Sequence, residues 1–135
     1  MTPDRNADVV RRALEDFGRR DLEALGALLA DDVAWVTPGV NVLSGEYHGR
    51  AQVVAYLRDA IRLTTGTIQV RPVDLCVGRD HVAAVVDVSG ERDGRSLRDR
   101  SIQLFRLRDG LIVERRIYPA DQRATDAFWG SADPR

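Results

Sequence analysis

The reactive side chains of this sequence are few in kind. Its two histidines, His48 and His81, are far apart and have no metal-ligand spacing. His48 stands beside Gly49 at the start of an expected helix, which suits a structural or rim position, and His81 follows Asp80 at a hairpin and reads as a solvated turn residue. The single cysteine, Cys76, lies in the apolar run from Val73 to Val77 without a partner for a disulfide, a CxxC pair or a zinc site, so a buried, inert thiol is expected. What remains is acid-base chemistry by carboxylates, assisted by arginine and amide donors. Asp99, Ser101 and Gln103 alternate along one face of an expected strand, and Arg98, Arg100, Arg106 and Arg108 occupy the other with Ile102. Asp121 follows the last strand, where it either takes part in acid-base chemistry or caps a tail helix over Gln122 to Phe128, the second being favoured.

The elements that would position these groups follow from periodicity. Thr2-Pro3-Asp4 offers a cap and a first-turn proline, and Val9, Val10, Ala13, Leu14 and Phe17 recur at helical spacing until Gly18. Asp21 can cap a second helix carrying Leu22, Leu25, Leu28 and Leu29, which Asp31-Asp32 ends before a short strand from Val33 to Thr37. Pro38 to Gly49 reads as an irregular connection and a candidate lid. A third helix, Arg50 to Leu63, would turn Val53, Val54, Leu57 and Ile61 inward. From Thr67 the period becomes that of strands, with runs at Thr67 to Val77, Val82 to Glu91, Leu97 to Leu107 and Leu111 to Tyr118. Asp93-Gly94 and Asp109-Gly110 supply the positive φ of tight hairpin turns, so an antiparallel meander is expected. Helices first and sheet last make an α+β fold, a curved antiparallel sheet with three helices of the N-terminal half packed on one face.

The chain of 135 residues, 44% of them hydrophobic, suits a single domain over 1–135, with an ordered core over about 5–130 and a frayed tail from Ser131 to Arg135. Twenty basic and 21 acidic residues leave a formal net charge of −1, without the positive field that drives nucleic-acid binding. Neither a signal peptide nor a run long enough to span a membrane is read from the sequence, so a soluble cytoplasmic protein is expected.

The run from Asp21 to Pro38, the segment Tyr47-His48-Gly49-Arg50, and the hairpin from Phe105 to Val113 together resemble the nuclear transport factor 2-like superfamily, over nearly the whole chain. The ending from Tyr118 to Gln122 and from Asp126 to Trp129 is most similar to its SnoaL-like members, which include polyketide cyclases, with ketosteroid isomerases as cousins. The resemblance implies a cone whose concave sheet face and inner helices line one apolar pocket. Its lining would include Trp35, Thr37, Tyr56, Ala84, Val86, Val88, Asp99, Ser101, Gln103, Val113, Arg115 and Ile117. Tyr118 and Trp129 are candidates to clamp a flat ligand, with core or dimer contacts as the alternative.

The isomerases use an Asp base and an oxyanion hole of a tyrosine and a protonated Asp. By resemblance, Thr37, Ala13 and Gln103 stand at those three positions, so the usual steroid isomerisation is not expected, although Gln103 retains a donor for an oxyanion. Attention moves to Asp99 and Arg115, which the resemblance turns into the same apolar pocket, where each needs a partner. They either face each other as a reactive pair, similar to the Asp-Arg-Asp site of limonene epoxide hydrolases but without its spacing, or form a structural salt bridge near the open end of the cone, the second being favoured. The resulting reading is a SnoaL-like enzyme needing no metal or organic cofactor, acting on an apolar oxygenated metabolite. Asp99 would be base or water activator, Arg115 and Gln103 would stabilise negative charge, and Asp121 would be a second base. The competing reading is a non-catalytic ligand-binding or dimerisation module. A homodimer through the convex sheet face, which carries the arginines and Asp87, is expected in either case.

Overall fold

The computed structural model describes residues 3–131. The expected cap at Thr2 and the tail beyond Ser131 lie outside the described residues. The first helix, α1 (Pro3–Gly18), buries Val10, Ala13, Leu14 and Phe17. Its end is fixed by Arg20, at φ 62°, whose guanidinium donates to the carbonyls of Phe17, Gly66 and Ile68 and so ties the helix to the chain entering the long strands. The second helix, α2 (Leu22–Gly26), is one turn long and capped by Asp21, whose carboxylate accepts from the Ala24 amide at 3.0 Å.

Leu28 and Leu29 do not extend α2, as their spacing suggested. Leu29 opens β1 (Leu29–Thr37), because Leu28 O accepts from Ile112 N and Leu29 pairs with Ile112 across a parallel ladder. The strand therefore begins four residues before Val33, and the acidic step is absorbed as an irregularity between Leu29 and Ala34. Residues 45–48, expected to be irregular, form β2 (Gly45–His48), paired antiparallel with β1 from Thr37 to Ala34. Four mostly exposed residues bounded by Gly45 and Gly49, both at positive φ, carry too little pattern to be read as a strand.

In α3 (Arg50–Leu63) the buried stripe is Val53, Tyr56, Leu57 and Ala60, rotated from the expected one so that Val54 and Ile61 are only half-buried. The remaining strands are β3 (Gln69–Val77), β4 (His81–Arg92), β5 (Arg95–Arg108) and β6 (Leu111–Pro119), followed by α4 (Gln122–Trp129). The six strands form one sheet in the order β2-β1-β6-β5-β4-β3, antiparallel except for β1 beside β6. Asp93-Gly94 and Asp109-Gly110 have positive φ at both turn positions and join β4 to β5 and β5 to β6.

Alternation in β5 buries Leu97, Ser101, Gln103, Phe105 and Leu107 on the helix-covered face and exposes Arg98, Arg100, Ile102, Arg106 and Arg108 on the other. Cys76 is exposed rather than buried. It lies on the edge strand β3 beyond a bulge between Pro72 and Asp74, which resets which residues face inward, and Leu75 takes the partly buried position. Phe128 and Trp129 of α4 are buried against the sheet. No helix among the described residues is long and apolar enough to cross a membrane.

Candidate functional site

Between the concave face of the sheet and helices α1, α3 and α4 lies an apolar cleft that opens to solvent. Its walls are set by alternation. Leu97, Asp99, Ser101, Gln103 and Phe105 come from β5, Arg115, Ile117 and Pro119 from β6, Trp35 and Thr37 from β1, and Tyr56, Leu57 and Ala60 from α3. Asp99 and Arg115 are the only charged residues lining it, among the described residues.

Arg115 is 4% exposed. Its Nη1 donates to Val36 O at 3.0 Å and Thr37 Oγ1 at 3.3 Å, and Nη2 contacts Tyr56 Oη at 3.4 Å. The guanidinium carbon lies 4.8 Å from the Trp35 ring centre and 5.7 Å from that of Tyr56. Every one of these partners is neutral, and Nε has no hydrogen-bond partner among the described residues. Thr37 Oγ1 donates to Tyr56 Oη at 2.8 Å, so the strand-end threonine belongs to a polar cluster rather than merely terminating β1. Trp35 packs edge-on against Phe105 at 6.1 Å and leaves its buried Nε1 without an acceptor.

Asp99 takes no part in that cluster. Its carboxylate accepts from Ser101 Oγ and from the backbone amides of Ala120 and Asp121, the last two at 3.1 Å, so it fastens the junction of β6 and α4. The expected Asp99–Arg115 pair is therefore not formed. The register gives the reason: Arg115 pairs with Phe105, and Asp99 lies six positions further along β5. The arginine side chain leans to the level of Thr37, which leaves about four residues of strand between the two groups, roughly 13 Å of rise.

Gln103 is buried, lines the cavity, and makes no side-chain hydrogen bond among the described residues. Val88 and Ser101 also line it, whereas Ala84, Val86 and Val113 are buried and do not. Tyr118 is on the wrong face. Arg115 and Ile117 point inward, so alternation sends Tyr118 to the convex side, 52% exposed beside its ladder neighbour Ile102. Asp121 is the N-cap of α4, accepting from Ala124 N at 2.9 Å, and does not line the cavity. The capping role, favoured for it from the sequence, is the one it fills.

The walls near the mouth come from the connection after β1 and from α4. The connection after β1 is fastened rather than free, because Asp126 Oδ1 accepts from Val40 N, Asn41 Nδ2 and Gln122 Nε2, and Val42 N donates to Gly130 O. Pro38, Asn41 and Leu43 thereby form part of the wall, and Trp129 closes it from α4. Behind this wall Tyr47 packs against Tyr56 with ring centres 4.6 Å apart and planes tilted by 50°, and it donates to Leu43 O; burial, then the neighbouring Tyr56, pushes its phenol up from the ordinary value. His48 and His81 are exposed and do not line the cavity. No three His, Cys, Asp or Glu side chains gather as metal ligands among the described residues.

The SnoaL-like domain family matches residues 10–115 of this chain. An uncharacterized protein of Mycobacterium tuberculosis is 35% identical over 130 residues, spanning 96% of this chain and 99% of its own. Among solved structures, a protein from a soil-derived mobile gene cassette superposes with a TM-score of 0.92 at 26% identity, covering 94% of this chain and 98% of its own. A protein of unknown function with a cystatin-like fold from Xanthomonas campestris gives 0.89 at 33% identity, covering 96% and 99%.

Proposed function

This chain belongs to the SnoaL-like domain family, and on that premise we propose that it is a cofactor-independent enzyme acting on an apolar, oxygen-bearing metabolite by acid-base chemistry of the cyclase or isomerase type. The observation that carries this reading is that one apolar cavity is lined by a carboxylate at one level and a buried, carboxylate-free guanidinium at another. Their separation suits a reaction across a conjugated frame. Asp99 takes a proton from a carbon at one end, the electron pair moves through the frame, and the oxygen at the other end gains negative charge beside Arg115 and the Gln103 amide. Asp99 then returns the proton to a different carbon, completing an isomerisation, or the new nucleophilic carbon attacks a carbonyl of the same molecule and the resulting alkoxide takes the proton from Asp99, completing a ring closure. Trp35, Tyr56, Val88, Ile117 and Trp129 supply the apolar surround that excludes water.

A ligand-binding module without catalysis is the second reading, favoured by the three hydrogen bonds that already occupy Asp99. Proton exchange separates the two. Bicyclic enones such as hexahydronaphthalenone are incubated in heavy water, and deuterium uptake is followed by NMR. The enzyme reading expects uptake faster than in buffer, lost in Asp99→Asn with ligand-induced quenching of tryptophan fluorescence retained. Uptake at the buffer rate returns the module, and catalysed uptake that is unchanged in Asp99→Asn removes Asp99 from the mechanism. In either case we propose a homodimer through the convex face, where Ile102 and Tyr118 present an exposed apolar pair beside the Arg100–Asp87 bridge.

A further inference from the structure

We propose that the cavity's ligand is an apolar organic acid, and that its ionised oxygen is received by Arg115 together with the Thr37–Tyr56 hydroxyl pair. This rests on the cavity being a ligand site and adds the charge of the ligand.

Two independent counts lead there. The first is of charge. Arg115 has five N–H donors and a full positive charge, and its contacts are the Val36 carbonyl, two hydroxyl oxygens and two aromatic faces. No carboxylate comes within ion-pair distance among the described residues, whereas Arg100 and Arg108 on the surface each hold an Asp at 2.9 and 3.0 Å. A buried cation without a counter-charge is unfavourable to the fold, and polar contacts to neutral groups compensate it only in part.

The second count is of hydrogens. Thr37 and Tyr56 bring two hydroxyl hydrogens to the cluster, and one is used in the bond between them. Arg115 donates to both oxygens, so whichever way the hydroxyl bond runs, one hydroxyl hydrogen is left without an acceptor there. A neutral carbonyl oxygen would satisfy that hydrogen and leave the charge uncompensated. An anionic oxygen satisfies both. The one carboxylate of the lining, Asp99, lies far enough along β5 to leave this end of the cavity positive.

The test pairs each acid with a neutral counterpart of the same shape: naphthoate with naphthamide for a carboxylate, and the hydroxycoumarin anion with coumarin for an acidic enol. Binding is read by calorimetry and by quenching of Trp35 and Trp129. At least one anion is expected to bind tenfold or more tightly than its neutral partner. Arg115→Gln removes that preference, and Tyr56→Phe weakens it several-fold. Equal affinity within both pairs overturns the proposal while leaving the cavity as a ligand site, and so does a preference that survives Arg115→Gln. Should Arg115→Gln fail to fold, the wild-type comparison alone decides. Failure of all four probes to bind overturns this proposal and the reading of the cavity as a site for such ligands together.

Discussion

Replacing Arg115 by Met should leave the protein as stable as before or more so. Methionine keeps most of the length and the apolar stem, and removes the charge. Three terms set the balance. Relief of a buried, uncompensated cation contributes several kcal/mol after relaxation of its surroundings. Against it stand one charge-assisted bond to Val36 O, about 1.5–3 kcal/mol, and the stacking on Trp35 and Tyr56, about 1–2 kcal/mol, which sulfur–aromatic contacts of about 0.3–1.5 kcal/mol partly replace. The two bonds to hydroxyls, at 3.3 and 3.4 Å, are long and weigh little. The net is a change of roughly 0 to +2 kcal/mol, and at about 3 °C per kcal/mol for a domain of this size, a Tm raised by up to roughly 6 °C. Urea and thermal unfolding of both proteins measure it, with equal m-values as the control. A loss of more than about 2 kcal/mol would refute the reasoning, because truncating one member of a satisfied buried ion network lowers stability by about 3–5 kcal/mol. A gain in stability with loss of acid binding would identify Arg115 as a residue kept for its ligand.

Gly39→Ala should lower stability by roughly 1–2 kcal/mol and speed amide exchange in residues 40–42, since φ is +88° there and a Cβ would meet Asp126 Oδ1 and Gln122 Nε2 at 2.3 Å. Asp32 and Asp87 are each held below the usual carboxylate range, chiefly by hydrogen bonds from Arg108 and Arg100. Both folded values are depressed, so their contribution is present above about pH 4 and lost as pH falls through the lower folded values. The Asp32→Asn, Asp87→Asn double variant should therefore show a shallower fall in Tm between pH 5 and pH 3, by a small margin because both pairs are exposed. Joint Ile102→Glu and Tyr118→Glu should convert a dimer to monomer in sedimentation velocity with the cavity probes still bound; an unchanged dimer would place the interface elsewhere.

The long strands and their hairpins were legible because Asp93-Gly94 and Asp109-Gly110 have turn chemistry that only one geometry satisfies. β2 was not, since it is ordered by pairing with β1 rather than by its own residues. The placement of Tyr118 was available from alternation alone: once Arg115 and Ile117 point inward, their neighbour cannot. Cys76 needed knowledge of the bulge after Pro72, which an apolar run conceals. For the site, the residue types were readable and their partners were not. That Asp99 spends itself on the amides of Ala120 and Asp121 depends on where the chain turns after β6. That Arg115 lacks a carboxylate depends on four elements meeting around it, and no spacing in the sequence encodes an absence.

The irregular edge strand β3 also bears on how copies of this chain can meet. An open sheet ends in unpaired peptide groups that invite another strand to continue it. Here Pro72 has no N–H to offer, and the bulge up to Asp74 breaks the straight run that a templated strand would need. Lateral growth of the sheet from β3 is thus blocked at its midpoint by two residues. The homodimer proposed through the convex face would instead close at two copies rather than propagate.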